Sequence, residues 1–445
     1  MTDGYVRTIA QAAYVWAWPM VNMHNRRVAF SQVPEPGLMG GVMPCGPLNE
    51  IAMLTDYITP DQKFVACPNQ DVVYGFGILS LDLEPAVVQV PEMGGDRFWV
   101  YQIADQRTDA FGGLGKQYGT EPGHYLVVGP DWNGDVPDGI AGVLHSPTNL
   151  ACCIPRLFLD DTDEDRAAVQ PLLSQISVYP VSRYDGTMKI KDWHAIPEFP
   201  GQDTGGEEIR WVDPATFFES LPTVLDDVPP LPGEEALYAA VRAILAAAEA
   251  DPHVKELLDE VASETERDVV HPLFHWSNVG LPVGAGWTSP KTSAEFGTDY
   301  YARLSVARTN IFVNLPTETT YFYNQADDTG ADLHGDHAYT VTFPAGGLPP
   351  VQGFWSLTLY NEHHFFATND LVRYSLGTKN ADLEHSEDGS LTLHVQATPP
   401  AEAPHANWLP APAGQPFSLY LRTYWPAEAV LAGEWVPPTI ARSDR

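Results

Sequence analysis

Four groups of residues in this sequence have types and spacings that could do chemistry. Asp71 follows Pro68-Asn69 in a turn, and Asp105 and Asp109 follow an aromatic, β-branched run ending near Ile103, with Tyr74, Phe76, Tyr101 and Phe111 nearby in sequence. Paired carboxylates suit general acid and base work when their surroundings separate their pKa values, and at strand ends beside aromatics they could line a half-apolar pocket. Each could equally cap a turn through its own backbone. His334-Gly-Asp336-His337 sets three metal-ligand side chains within four residues, with Asp332 before them and His363-His364 further on. A solvated acidic loop accounts for the same residues in a chain with 14 His and 58 acids. Cys152-Cys153 lies between Ala151 and Ile154 with no base beside it, the setting of a packed apolar pair rather than a nucleophile. Along 417–424, alternation puts Ser418, Tyr420, Arg422 and Tyr424 on one side and Phe417, Leu419 and Leu421 on the other. An Arg between two Tyr can grip a polar ligand by stacking and forked hydrogen bonds, and the same face could be an outer surface or a subunit contact.

The elements that must position these residues follow from pattern. Tyr5, Ile9, Ala13, Trp16, Met20 and Met23 recur at helical spacing, which predicts a helix with a break or kink at Pro19. Val87–Val90, Phe98–Ile103 and Tyr125–Val128 read as strands of an antiparallel sheet, separated by Gly, Pro, Asp and Asn. Apolar stripes beside acidic faces predict helices over Glu234–Ala250 and Pro252–Glu266, a helical connector. Strands return after Phe296, at Tyr339–Phe343, Phe354–Tyr360, Leu391–Val395 and Phe417–Tyr424, with Gly-containing turns between them that favour a sandwich or barrel. With 445 residues, two cores are the default. The expected domains are 1–200 (N-terminal helix and β-sandwich), 201–295 (helical connector) and 296–445 (C-terminal β-sandwich).

Composition narrows the functions. Against 24 basic residues the 58 acidic ones leave a net charge of −34, with seven lysines in all. Such a surface repels phosphate backbones and anionic lipid, so no nucleic-acid or membrane partner is expected, nor a polyanionic substrate unless a local Arg cluster opposes the field. No apolar stretch reaches membrane-spanning length and the N-terminus lacks the order of a secretory signal, so the expected location is cytoplasmic. Four cysteines with no Cys-x-x-Cys pair indicate neither a disulfide framework nor a structural zinc. Triphosphate loop, His-Glu-x-x-His helix and Gly-x-Ser-x-Gly elbow are all missing, and Gly113–Gly119 reads as a turn rather than a dinucleotide loop.

The ordered motifs resemble a paired bacterial family. Pro68-Asn69-Gln70-Asp71-Val72-Val73-Tyr74, Arg97-Phe98-Trp99 with Gln102 and Asp105, Gly129-Pro130-Asp131-Trp132-Asn133-Gly134 and Ser146-Pro147-Thr148 with Arg156 are similar to the domain of unknown function catalogued as 1254. Phe354-Trp355-Ser356-Leu357-Thr358-Leu359-Tyr360, Asn369 with Arg373-Tyr374, Asn407-Trp408-Leu409-Pro410 and Arg422-Thr423-Tyr424-Trp425-Pro426 are similar to the one catalogued as 1214. The resemblance implies an α+β chain, mainly β, with two jelly-roll-like antiparallel sandwiches joined by helices, commonly assembled as a homo-oligomer. It implies site positions Asn69, Asp71, Tyr74, Gln102, Asp105 and Arg156 in the first module and Trp355, Tyr360, Arg373, Asn407, Arg422 and Tyr424 in the second. The chain departs from the family pattern at Val72 and at Lys116-Gln-Tyr-Gly119.

The expected function is a hydrolase or related lyase that needs no cofactor or metal and acts on a small, neutral, partly apolar molecule. In this reading Asp71 or Asp105 activates water, Asn69 and Tyr74 hydrogen-bond the substrate, and Arg156 stabilises developing negative charge. Gln102, Trp355, Tyr360, Arg373, Arg422 and Tyr424 would bind substrate. The alternatives are a non-catalytic jelly roll gripping a carbohydrate-like ligand on aromatic rings, and a structural oligomer.

Overall fold

In the computed structural model, which describes residues 1–443, the β-branched and aromatic runs pair into two sandwiches. The first is built on a five-stranded sheet in the order Ala52–Met53, Val72–Ser80, Leu150–Phe158, Trp99–Asp105, Ala110–Gly115. Its partner is a four-stranded sheet in the order Ser177–Pro180, Ala86–Val90, Gly123–Val128, Ile140–His145. Period-two alternation divides the larger sheet's side chains. Val73, Leu79, Ile103, Ala151, Cys153 and Leu157 join Val88, Val90 and Val127 in one core, whereas Phe76, Ile78, Cys152 and Ile154 join a second core with the helices.

The second sandwich sets a six-stranded sheet (Leu281–Gly284, Trp287–Ser289, Thr319–Asn324, Phe417–Tyr424, Trp355–Asn361, Ser375–Gly377) over a four-stranded one (Trp408–Pro410, Leu391–Gln396, Tyr339–Phe343, Ile440–Arg442). Phe322, Leu357, Leu419 and Leu421 meet Val341, Phe343, Leu391 and Leu393 between them. Pairing is antiparallel except for three short parallel contacts. The first two strands of the large sheet come from residues inside the expected helical connector.

The N-terminal helix, Asp3–Phe30, begins at a Thr2 cap and continues through Pro19 rather than stopping there. Proline removes one backbone N–H bond from the helix interior. Trp16, Met20 and Met23 are nevertheless fully buried against the helices Phe217–Asp227, Glu235–Ala250, Pro252–Thr265 and Tyr300–Asn310, and burying each such side chain contributes about 1.5–3 kcal/mol. That packing outweighs the lost bond. Among the described residues no helix is long and apolar enough to cross a membrane.

Candidate functional site

The motif Cys67–Asp71 leaves the first module and runs along the second. Cys67, held at φ +55°, donates its N–H to the His364 carbonyl (2.9 Å), and its own carbonyl accepts from Arg422 Nη2 (2.9 Å). The Pro68 carbonyl accepts from the Tyr360 hydroxyl. Asn69 Nδ2 donates to the Tyr424 hydroxyl (2.9 Å), while its Oδ1 accepts the Asp71 N–H (2.8 Å), an Asx turn. Gln70 bonds the Tyr374 N–H and the Val372 carbonyl. Asp71 accepts from Ser375 Oγ (2.8 Å) and lies 3.4 Å from Lys379 Nζ, both charges fully buried. Most of the strap's polar groups are thus met by the other module, as buried backbone requires, and the Asp71 carbonyl accepts the Leu159 N–H of the first.

Beside the strap lies a cavity of about 60 Å³, lined by Met43, Pro44, Ile58, Val65, Ala66, Phe76, Ile154 and Phe312, with polar groups from Gln62, Cys67, Tyr74, Arg156 and Asn310. At about 10–15 Å³ per water-sized centre it has room for a few non-hydrogen atoms. Strand register builds its polar end: Arg156 stands directly opposite Tyr74, and its guanidinium lies 5.6 Å from that ring's centre. Arg156 donates to the Phe312 carbonyl (2.8 Å) and to Asn314 Oδ1, leaving its buried Nε without a partner. Asn314 is in turn fixed by the Tyr321 hydroxyl (3.1 Å) and Glu318 (3.0 Å), and Glu318 receives the Tyr118 hydroxyl (2.6 Å). The Lys116–Tyr118 turn thus supplies a contact between the modules.

On the facing sheet, Arg422 donates to Thr358 Oγ1 (3.0 Å) and the Tyr360 hydroxyl (2.8 Å) and lies 4.0 Å from the Tyr420 ring centre. Tyr420 accepts from Asn310 Nδ2 (2.7 Å) at the cavity wall. Arg422 and Tyr424 therefore face the first module, opposite the Leu419 and Leu421 side that fills the second sandwich.

Of the residues expected in the site, Tyr74 and Arg156 line the cavity, and Asn69, Tyr360, Arg422 and Tyr424 form the layer behind Cys67 and Pro68. Gln102 donates to the Val313 carbonyl, with its Oε1 buried and unpartnered. Asp71 is turned to Lys379 and away from the cavity. Asp105 sits in a separate turn, where it accepts the Asp109 N–H (3.0 Å) 3.8 Å from Arg107. Burial, and then the charge of Asp109, pushes its carboxyl up to about 7. Trp355 packs on Phe343 inside the second sandwich, and Arg373 donates to the His405 and Trp408 carbonyls, so both hold structure. Asn407 likewise ties Glu384 to Thr392. The residues the sequence did not single out are Gln62, Asn310, Asn314, Glu318, Tyr321 and Lys379.

The other chemical groups are accounted for by packing. Cys152 and Cys153 point to opposite faces of one sheet, and burial pushes both thiols up, Cys152 to about 12. His334 pairs with Asp336 (3.2 Å) on a partly exposed loop, and no group of three or more His, Cys, Asp or Glu suited to a metal occurs among the described residues.

Two facing sandwiches clasped by an extended strap, with one polar-ended cavity at the seam, define a two-module α+β class. Residues 48–180 match the family model described as "Protein of unknown function (DUF1254)" and residues 318–428 the one described as "Protein of unknown function (DUF1214)", together more than half of the chain. The chain thus carries both of these domains, one in each half. The crystal structure of the VPA0106 protein from Vibrio parahaemolyticus is similar over 99% of this chain and 100% of that one, at 22% identity and a TM-score of 0.67, a likeness of fold. A putative uncharacterized protein from Burkholderia cenocepacia aligns over 97% of this chain and 88% of its own, at 12% identity and a TM-score of 0.46. No curated protein matches.

Proposed function

We propose that this chain takes up a small, partly apolar molecule in the cavity at the seam between its modules, with Tyr74 and Arg156 as the groups that meet its polar end. The observation that carries this reading is a largely apolar chamber with Arg156 and Tyr74 side by side in its wall, the few placed polar groups usual in a small-molecule site. Tyr74 supports it further, because its hydroxyl makes no hydrogen bond to the described residues. Hydrolysis through a carboxylate base is the part of the expected function that the geometry supports least. Neither Asp71 nor Asp105 lines the cavity, and burial pushes the Cys67 thiol on its wall up, out of nucleophile range.

The test is ligand-observed NMR with a set of small neutral and anionic fragments against the intact chain and against Ala66→Leu, which fills the cavity from a buried wall position. Binding to the natural chain that disappears in the folded variant is the expected result. Equal binding to both, or binding to neither, would sink the reading.

A further inference from the structure

Buried charges in proteins are almost always paired, because an isolated one loses its hydration without compensation. Lys379, the buried arginines Arg107 and Arg303 and the half-buried Arg97 all obey, each with a carboxylate within 4.0 Å. Arg156 and Arg422 do not. Both are nearly completely buried, at 4% and 2% exposure, and neither has a carboxylate oxygen within 4.0 Å among the described residues. Their partners are uncharged: main-chain carbonyls, Asn314, Thr358 and Tyr360. The nearest acid on the Arg156 side is Glu318, reached only through Asn314, and it already holds Tyr118, Asn314 and the Leu315 N–H. The seam therefore carries two buried positive charges against one acid in a chain whose net charge is −34. One negative charge is missing, and the cavity adjoins the place where it is missing.

We propose that the polar end of the ligand is a carboxylate, bound through the Arg156 guanidinium and the Tyr74 hydroxyl, so that the site takes short-chain monocarboxylic acids. This rests on the cavity reading above and deepens it. Geometry selects a carboxylate over a larger anion. The chamber is small and its remaining walls are apolar, which suits a compact tail of a few carbons and disfavours a strongly hydrated phosphate. The planar guanidinium, held through Nη1 by Asn314 and through Nη2 by Phe312, is fixed in orientation with donors to spare, the preorganised group that charge-assisted recognition needs. Arg422 lies behind Cys67 and Pro68, where it adds positive potential without touching the ligand. The acidic surface does not forbid this. Exposed charges are screened beyond about 8–10 Å at ordinary ionic strength, whereas the two guanidinium groups act at the seam itself in a low-dielectric setting.

Isothermal titration calorimetry on the full chain decides it, using the straight-chain carboxylates from acetate to hexanoate, the primary amide of each, and inorganic phosphate, against the natural protein, Arg156→Gln and Tyr74→Phe, each variant first shown folded by circular dichroism. At least one carboxylate is expected to bind about tenfold or more tightly than its amide. That affinity should be lost in Arg156→Gln and weakened severalfold in Tyr74→Phe, the milder variant, which keeps the inference testable if the arginine variant does not fold. Amides binding as well as carboxylates would leave the cavity reading standing and overturn the carboxylate. Phosphate binding with every carboxylate inert would also overturn it, as would carboxylate binding that neither substitution alters. Binding of no probe at all would remove both readings.

Discussion

At the Asp105 turn every buried arginine meets a carboxylate; at the seam between the modules neither does. Arg107 lies 3.8 Å from Asp105 and Arg303 lies 2.7 Å from Asp109, and the same turn ties the first sandwich to the Ala294 carbonyl through the Ala110 N–H and to the Phe296 N–H through the Asp109 carboxylate. Each arginine there has a carboxyl group of the same turn beside it. Arg156 and Arg422 sit among tyrosines, amides and carbonyls, with a chamber beside them. The raised carboxyl of Asp105 is thus a mark of burial inside a closed structural network, since such networks perturb pKa values as readily as active sites do. The more informative sign of a site here is a charge that the chain leaves unanswered.

Substitutions can break this comparison. Arg303→Met should be the most costly, because it strands the Asp109 carboxylate beside buried backbone; a loss of about 3–5 kcal/mol in urea unfolding is expected. A loss under about 1 kcal/mol would mean that the turn's ion pairs do not hold the modules together. Next in size is a pH effect at the same turn. With its folded pKa raised to about 7 from 3.8, Asp105 keeps its proton in the folded state and sheds it in the unfolded state between those values, so its contribution to stability falls as pH rises. Asp105→Asn should remove a slope of at most about 1.4 kcal/mol per pH unit and leave the protein at least as stable at pH 8; a thermal melt series from pH 4.5 to 8 shows whether it does.

Arg156→Met sharpens the comparison from the other side. Removing an unpaired cation costs only its hydrogen bonds to Phe312 and Asn314, about 1–2 kcal/mol, less than the loss at Arg303. Were the two variants equally destabilised in parallel unfolding curves, the contrast between balanced and unbalanced clusters would fail. His364 gives a smaller effect of opposite sign to Asp105. Its ring is stacked between Phe274 and Trp276, and burial pushes its pKa down to about 3. Because only the unfolded chain takes up that proton, stability is lost as pH falls below about 6.5, and His364→Phe should flatten the acid side of the same melt series. Smallest of all is Arg7→Ala, which removes exposed pairs with Glu260 and Glu264 and should change the unfolding free energy in urea by less than about 1 kcal/mol.

Much of the fold is legible in the residue pattern. The strands over 87–90, 339–343 and 417–424 and the helices over 235–250 and 252–265 lie where alternation and helical periodicity predict them. Leu281–Ser289 escaped that reading, because two short strands around Gly284–Gly286 carry almost no periodic signal and are defined by pairing with Tyr323. Half of the candidate site was legible too. Arg156, Tyr74 and Arg422 stand out as residue types in motifs, and alternation correctly put Arg422 between Tyr420 and Tyr424 on one face. Asp71 looked like a free carboxylate because its counter-charge, Lys379, is 308 positions further on and marked by nothing in its neighbourhood. Asn310 and Asn314 matter through hydrogen bonds to Tyr420 and Arg156, relations that exist only once two distant sheets face each other.

The strap from Cys67 to Asp71 also sets a timetable for making this protein. The bond from Asn69 to Tyr424 spans 355 positions, and that from Tyr360 to Pro68 spans 292. At ribosomal rates of about 5–20 residues per second, those positions emerge on the order of tens of seconds before their partners exist. For that interval water must stand in for the partners of Cys67–Asp71, so the strap takes its folded course only after the second module has been made.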